Sequence, residues 1–284
     1  MKLSNLLIPC ILFILIAGCV NNPSQYNPES SPGHICIPGT TLTIYFIDVG
    51  QGDSELVRFP NGKDMLIDAG TSESEVSEVK YLKDIGITHL DAVLATHPHA
   101  DHIGGMKYII ENIPTYEYID GGSTSTDMSY KLVNNHTIVH AGDTIDLDYN
   151  VSVKVLSSKG YVETNDLNDQ SVVLKIIYNK NTFLFMGDAG NAVETKLAMS
   201  GEELGADVLK VGHHGSSTAS SVRFLNAVMP KYAIIEVGSS NKYGHPTEKT
   251  LERLENVKST IYRTNLNGTV TINSNGTNID VVKR

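Results

Sequence analysis

Cysteine is scarce in this chain, and the positions of its cysteines argue against a disulfide framework. The 284-residue sequence contains three, at Cys10, Cys19 and Cys36. Cys10 lies inside an apolar leader and Cys19 lies at the end of that leader. Removal of the leader and modification of Cys19 would leave Cys36 alone, so we expect no internal disulfide bond.

Positive charge is also in short supply. The chain has 22 Lys and Arg against 32 Asp and Glu, which gives a formal net charge of −10 at pH 7. This balance argues against a broad basic surface for binding phosphate groups. If the protein acts on a polyanion, bound metal ions must supply much of the local positive charge.

The apolar run at the start of the sequence is short for a membrane span. "LLIPCILFILIAGC" follows Lys2 and ends at Cys19, whereas a transmembrane helix needs about 20 apolar residues. Its length suits the apolar part of a signal sequence. The final "IAGC" resembles a lipobox, which implies cleavage before Cys19 and a lipid anchor on its thiol. A plain signal-peptidase site and an uncleaved anchor are the alternatives.

These features divide the chain into three predicted parts. Residues 1–18 are a lipoprotein-type signal peptide, and residues 19–39, rich in Asn, Ser and Pro, are a flexible tether. Residues 40–284 form one domain. We therefore expect an extracytoplasmic lipoprotein anchored to a membrane, or alternatively a secreted protein.

Residues 40–284 alternate strand-like and helix-like segments, which predicts an α/β domain. "ELVRFPNGKDMLIDAG" is typical of a hairpin that turns at Asn61 and Gly62. "EVSEVKYLKDIG" predicts an amphipathic helix, with Val76, Val79, Leu82 and Ile85 at helical spacing, and Gly86 ends it. Paired strands followed by strand–helix alternation occur twice, which indicates two sheets sandwiched between helix layers.

Several ionisable residues follow apolar strand segments. Side chains at such positions emerge from the carboxyl edge of a sheet, where α/β proteins usually place their sites. Four separate segments carry them, so we expect the segments to converge. The residues are Asp68 after "MLI", His97, His99, Asp101 and His102 in "THPHADHIGG", Asp188 after "FLFMG", and His213 and His214 after "VLKVG".

The stretch "HPHADH" concentrates four possible metal ligands in six residues. Three imidazoles this close repel one another when protonated, and a bound cation compensates. His97 and His99 can share one metal ion, and the turn that follows can face a second. Two ions about 3.5–4 Å apart can polarise an ester and hold a hydroxide between them. Imidazole and carboxylate ligands suit Zn²⁺, and Mn²⁺ is the alternative.

These motifs resemble those of the metallo-β-lactamase superfamily, whose H-x-H-x-D-H signature matches residues 97–102. More narrowly, "IDVGQGDSELVRFPNGKDMLIDAG", "NDQSVVLKI", "LKVGHHGSS" and "YGHPTEKTLERL" are similar to the nuclease-like domain of the ComEC competence family. The resemblance covers nearly all of residues 40–284. It implies a four-layer αββα sandwich and metal-dependent hydrolysis, with phosphodiesters as substrates and DNA as the leading candidate. Relatives join this domain to a membrane channel, whereas we expect a stand-alone, tethered version here.

The resemblance also implies a role for each matched residue. Asp68 supports the histidine loop without binding metal. Many superfamily members supply a third histidine to the first ion, but this chain has "DLNDQSVV" there, so either Asn168 or Asp169 stands in, or the first site is weak or open. The other implied ligands are His97 and His99 for the first ion, Asp101 and His102 for the second, Asp188 bridging both, and either His213 or His214 completing the second site.

Two further segments are expected near the site. His245 in "YGHP" follows another strand end and could contact substrate or donate a proton, although a simple turn histidine before proline is the alternative. Asp48, Gln51 and Asp53 in "DVGQGD" are expected to shape a tight loop.

The resulting hypothesis is a metallohydrolase that cleaves phosphodiesters by attack of hydroxide at phosphorus. The metals stabilise the developing charge, and Asp101, Asp188 and His245 belong to the catalytic set. A β-lactamase or lactone hydrolase, a phosphodiesterase acting on surface polymers or phosphocholine, and a non-catalytic surface binding protein remain alternatives. The sequence identifies no protein partner.

Overall fold

The computed structural model describes residues 40–123 and 129–283. The predicted signal peptide and tether lie outside these residues, so both stay predictions. Across the described part of the chain, no helix combines the length and apolarity required to span a bilayer.

The described residues alternate short strands and helices. The strands are β1 Leu42–Phe46, β2 Glu55–Arg58, β3 Asp64–Ile67, β4 Ala92–Ala95, β5 Glu117–Asp120, β6 Asn135–Ile138, β7 Val151–Ser157, β8 Val173–Tyr178, β9 Asn181–Phe185, β10 Val208–Lys210, β11 Tyr232–Ile235, β12 Thr260–Arg263, β13 Val270–Ser274 and β14 Ile279–Lys283. The helices are α1 Glu75–Asp84, α2 Ala100–Ile103, α3 Met106–Asn112, α4 Asn191–Met199, α5 Val222–Val228, α6 Glu248–Asn256 and α7 Thr264–Asn267.

The strands assemble into two mixed sheets. Within residues 40–123 and 129–283, the first sheet runs β14-β13-β1-β2-β3-β4-β5-β6 and the second runs β12-β11-β10-β9-β8-β7. The antiparallel part of the first sheet gives way to parallel pairing from β3 to β6. The second sheet is parallel from β9 to β12. The parallel strands β3, β4, β9 and β10 therefore each deliver a carboxyl end from which a candidate site residue follows.

Three apolar clusters show how the layers stack. The largest lies between the two sheets, where the rings of Phe46 on β1 and Phe185 on β9 stack with centroids 5.9 Å apart. A second cluster packs α1 and α3 on the outer face of the first sheet, through residues such as Leu82 and Ile109. A third packs α4, α5 and α6 on the outer face of the second sheet. The expected four-layer αββα sandwich is thus confirmed.

The local predictions hold with two exceptions. The β2–β3 hairpin forms, and its turn uses Gly62 at φ +88°, a backbone conformation that glycine tolerates best. Val76 does not join the buried face of α1: it lies in the first turn and is 62% exposed. Strands β5 and β6 were not anticipated. Strand β6 is an edge strand with exposed side chains, so its sequence has no apolar pattern.

Candidate metal centre

The histidine-rich loop is held in place by close backbone packing. His97 follows β4, and Asp101 and His102 lie on α2. A Cβ atom on Gly104 would come within 2.8 Å of the Ser72 backbone nitrogen, and one on Gly105 within 2.3 Å of the Ala69 carbonyl oxygen. The two glycines therefore allow the loop to pack against the segment that follows β3.

Asp68 fixes this loop through three hydrogen bonds. Its Oδ1 accepts from the Thr96 backbone N–H at 2.8 Å, and its Oδ2 accepts from the Thr96 hydroxyl at 2.6 Å. The same Oδ2 lies 2.7 Å from Nδ1 of His102. This contact orients the imidazole so that Nε2 faces the other candidate ligands, as carboxylate partners of metal-binding histidines do.

Asp188 lies between two groups of candidate ligands. Its Oδ2 is 3.8 Å from Nε2 of His97. Its Oδ1 is 3.3 Å from Nε2 of His102 and 3.6 Å from Nε2 of His214. Each group offers ligand atoms within 4.8 Å of one another: His97, His99 and Asp188 form one, and Asp101, His102 and His214 form the other.

The two adjacent histidines after β10 take different positions. Both have left-handed backbone conformations, with φ 51° at His213 and 50° at His214. Nε2 of His214 is buried and lies 3.4 Å from Oδ2 of Asp101. Nε2 of His213 instead lies 3.8 Å from Oδ2 of Asp188, and its side chain is 27% exposed. The structure therefore brings His214 into the group of Asp101 and His102, and leaves His213 at the rim beside Asp188.

Asn168 and Asp169 are also placed differently. Oδ1 of Asp169 accepts a hydrogen bond from the backbone N–H of Gly190 at 2.9 Å, which secures the turn after Asp188. Asn168 lines the same cavity as His99 and Asp188, and its buried Oδ1 makes no hydrogen bond within the described residues. Of the two, Asn168 is the better placed to face a metal ion.

The buried carboxylates favour positive charge on two of the histidines. Burial alone would lower the pKa of His214, but Asp188 and Asp53 raise it to about 10. Burial likewise opposes the charged form of His102, yet Asp188 and Asp68 raise its pKa well above the ordinary value. By contrast, burial and the neighbouring His102 hold the pKa of His97 well below its usual range.

Asp188 itself stays ionised. Burial would raise its pKa, but His214 and His102 hold it well below the usual value. Nε2 of His102, Nε2 of His214 and Oδ1 of Asp188 are buried, and they make no hydrogen bond within residues 40–123 and 129–283. Buried polar atoms normally find partners. Converging unpaired nitrogen and oxygen ligand atoms, in a pocket that stabilises positive charge, fit a divalent cation such as Zn²⁺ or Mn²⁺.

A buried ionic network behind the centre was missed by the sequence reasoning. Nζ of Lys210 donates to Oδ2 of Asp53 at 2.5 Å, and the side chains of both residues are fully buried. Oδ1 of Asp53 lies 3.1 Å from Nδ1 of His214, and the Glu236 carbonyl oxygen lies 2.9 Å from the same nitrogen. The detectable signal was Lys210 itself, a charged residue inside the apolar run "VLKVG", since lysine is rarely buried without a partner.

Two adjoining cavities open onto the centre. The first, about 340 Å³, is lined by residues that include His99, Asn168 and His245. The second, about 360 Å³, extends past Gln51. Asp101 and Tyr243 line both. His245 thus reaches the site as expected. Of the remaining loop residues, Asp48 accepts from the Gly50 backbone N–H in a local turn.

Two packed sheets between helix layers, with histidines and aspartates gathered at one edge, define a metallohydrolase-type fold. Residues 47–238 match the metallo-beta-lactamase superfamily, and the chain belongs to that superfamily.

Known relatives refine this placement. The chain is 31% identical over 263 residues to competence protein ComA of Neisseria gonorrhoeae, covering 90% of this chain and 34% of the relative. It is 30% identical over 249 residues to ComE operon protein 3 of Bacillus subtilis, covering 79% of this chain and 32% of the relative. The chain thus spans about a third of the length of these relatives.

Among solved structures, CmlA, a diiron beta-hydroxylase from Streptomyces venezuelae, superposes with a TM-score of 0.57 at 14% identity, covering 87% of this chain and 55% of that one. This likeness concerns the fold alone.

Proposed function

We propose that this metal-dependent hydrolase is a phosphodiesterase that uses two divalent cations and acts on DNA. The position of Asp188 carries the proposal. One of its carboxylate oxygens faces His97, and the other faces His102 and His214. A single carboxylate between two groups of ligands is what a dinuclear site requires.

The ligand assignment follows from the contacts. Asn168 is included because its Oδ1 has no hydrogen-bond partner in the part of the chain that the structure describes, whereas Asp169 accepts a hydrogen bond from Gly190. His213 is left as a rim residue. The proposed ligands are His97, His99 and Asn168 for the first ion, Asp101, His102 and His214 for the second, and Asp188 for both.

The chain's own residues prepare the site for phosphate. When bound, the two cations would supply Lewis acidity and lower the pKa of water. Asp101 remains a carboxylate: burial would raise its pKa, but contacts with His214 and His102 lower it. Burial and the neighbouring His213 and His214 lower the pKa of His245, so its ring is neutral at pH 7. A neutral imidazole can donate a hydrogen bond to a phosphate oxygen or to the leaving group.

Two observations support DNA as the substrate class. The relative from Neisseria gonorrhoeae is by name a competence protein, and the similarity to it extends over 90% of this chain. The site is open to the surface through two adjoining cavities that together exceed a single phosphate group. The net charge of −10 is compatible with a polyanionic substrate because the bound cations would provide positive charge at the site.

A panel of substrates tests the proposal. The purified chain is incubated with Zn²⁺ or Mn²⁺ and offered single-stranded DNA, bis-p-nitrophenyl phosphate, a phosphocholine ester and a chromogenic cephalosporin. We expect cleavage of the first two and loss of cleavage with a chelator. Turnover of the cephalosporin alone, or of the phosphocholine ester alone, would replace the proposal with the corresponding alternative.

We also propose that the protein is tethered outside the cytoplasm through Cys19. The "IAGC" sequence supports this. Replacing Cys19 by Ser should abolish the incorporation of a radiolabelled fatty acid into the protein. Equal labelling of the variant and the unaltered protein would contradict lipid attachment at this residue.

A further inference from the structure

The loop between β11 and α6 forms one wall of the cleft beside the metal centre. Residues 238–245, here called the Tyr243 loop, are organised by Asn241. Its Nδ2 donates to the carbonyl oxygens of Gly238 at 2.9 Å and His245 at 2.8 Å. Its Oδ1 accepts from the backbone N–H groups of Tyr243 at 3.2 Å and His245 at 3.0 Å. Four hydrogen bonds from one side chain give this loop a defined shape.

The Tyr243 loop is also packed against two segments of the metal centre. The backbone N–H of Gly238 donates to Oε1 of Gln51 at 3.2 Å. A Cβ atom on Gly215 would come within 2.5 Å of Cβ of Pro246, so the glycine after the paired histidines lets the end of the loop approach closely. The position of the loop relative to the candidate ligands is therefore set by packing on both sides.

The loop presents an aromatic surface to both cavities. The ring of Tyr243 stacks on that of His245, with centroids 5.8 Å apart and planes inclined by 22°. Tyr243 is 55% exposed and lines both cavities. An aromatic ring backed by a second ring, and open to solvent, is suited to stacking against a planar ligand.

Two polar groups complete the surface. Nζ of Lys242 lies 5.4 Å from the centroid of the Tyr243 ring. Gln51 lines the second cavity, and its Nε2 is a buried donor with no hydrogen-bond partner within the described residues. Both groups offer hydrogen-bond donors, which a phosphate or carbonyl oxygen would accept.

We propose that the Tyr243 loop is a binding subsite for an unpaired nucleotide of a single-stranded nucleic acid, next to the phosphodiester at the metal centre. The base stacks on Tyr243, and the adjoining phosphate is bound by Lys242 and Gln51. This subsite rests on the proposed function and specifies its substrate as a single strand. A base paired within a duplex cannot offer its face to the tyrosine, whereas an unpaired base can.

The positive charge of Lys242 beside Tyr243 argues against quaternary ammonium ligands at this loop. Aromatic rings also bind quaternary ammonium groups such as choline through cation–π contacts. In this loop the ammonium group of Lys242 already lies near the ring, and it would repel a second cation. The same positive charge attracts the phosphate of a nucleotide.

Equilibrium binding of a fluorescent oligodeoxynucleotide tests the subsite. Fluorescence anisotropy is measured with the metal-loaded full chain and an oligodeoxynucleotide whose phosphorothioate linkages resist hydrolysis, so that binding is measured without cleavage. Tyr243→Ala should weaken binding roughly five- to a hundredfold, and Tyr243→Phe should restore most of it, because stacking does not need the hydroxyl. Lys242→Ala should weaken binding and reduce the slope of log K against log[salt] by about one phosphate contact. Tyr149→Ala and Lys180→Ala, at exposed positions outside the cleft, are the matched controls.

The outcomes separate this subsite from the proposed activity. Unchanged oligonucleotide affinity in Tyr243→Ala would overturn the subsite, as would equal weakening by the two control variants. A blunt duplex bound with the same dependence on Tyr243 would overturn the single-strand preference. Failure of the unaltered protein to cleave any phosphodiester with Zn²⁺ or Mn²⁺ would count against the proposed function, while the binding comparison would still test Tyr243.

Discussion

The Nζ of Lys210 donates a hydrogen bond to Oδ2 of Asp53 across 2.5 Å, inside a region where neither side chain reaches solvent. The other oxygen of Asp53 lies 3.1 Å from Nδ1 of His214. Burial would raise the pKa of Asp53, but Lys210 and His214 hold it well below the usual value. The lysine therefore keeps a carboxylate charged at the point where it can orient a candidate metal ligand.

Removing this lysine should be strongly destabilising. Lys210→Met leaves the buried Asp53 with His214 in place of the lysine as its nearest cationic neighbour, and breaking a buried ion pair typically costs about 3–5 kcal/mol. We expect the free energy of unfolding, measured by urea denaturation, to fall by this amount. A fall below about 1 kcal/mol would show that Asp53 finds another partner.

The double variant Lys210→Met, Asp53→Asn provides the matched control. It removes the unpaired charge, so it should recover part of the lost stability. Its metal affinity should nevertheless stay about 10–100-fold weaker than that of the unaltered chain, because His214 would lack the carboxylate that orients it. Isothermal titration with Zn²⁺ measures this. Full stability together with full metal affinity would contradict the positioning role of Asp53.

The two adjacent histidines should differ in their effect on metal content. His214→Ala removes a buried ring 3.4 Å from Asp101, so we expect the bound metal to fall from about two ions per chain to about one. His213→Ala changes a rim residue and should retain both ions. Elemental analysis after gel filtration makes the comparison. The reverse pattern, with His213→Ala losing an ion, would exchange the roles assigned to the pair.

Substitutions at Asn168 and Asp169 should have different effects on metal affinity and on stability. Asn168→Ala should lower the affinity for one of the two ions, whereas Asp169→Ala should leave both bound. Asp169→Ala instead removes the acceptor of the Gly190 N–H and should cost about 1 kcal/mol of stability. Metal titration and thermal unfolding on both variants distinguish the effects. Loss of metal affinity in Asp169→Ala alone would return that residue to the ligand group.

The fold and the candidate site could both be predicted from the apolar strand segments and the ionisable residues that follow them. Strand-end residues such as Asp68 and Asp188 could be recognised because parallel strands deliver their carboxyl ends to one edge. The difference between His213 and His214 could not be predicted, since it depends on two consecutive left-handed backbone conformations that no sequence pattern indicates. The pairing of Lys210 with Asp53 spans 157 positions and joins the end of β10 to the loop before β2, so it appears only after folding. Strand β6 was not predicted because its exposed side chains give no alternating apolar pattern.

Glu78 on α1 should make the stability of the domain fall with rising pH. Its side chain is buried, Oε1 accepts from the Ser54 hydroxyl at 2.6 Å, and burial raises its pKa from 4.5 to about 8. The folded state therefore retains a proton that the unfolded chain releases near pH 4.5. This contribution is fully present below pH 4.5 and is lost as the pH rises to about 8, at up to about 1.4 kcal/mol per pH unit.

The Glu78→Gln variant isolates this effect, since the amide keeps the shape and cannot ionise. Compared with the unaltered chain, Glu78→Gln should be similar in stability near pH 4.5 and more stable at pH 9, with the difference growing between these values. Denaturation midpoints measured across this range test the expectation, and Glu73→Gln, at an exposed position just before the same helix, is the control. A stability difference that does not change with pH would mean that Glu78 is already ionised in the folded protein at neutral pH, with its charge solvated or paired. A difference shared by Glu73→Gln would mean that the effect does not come from the buried carboxyl group.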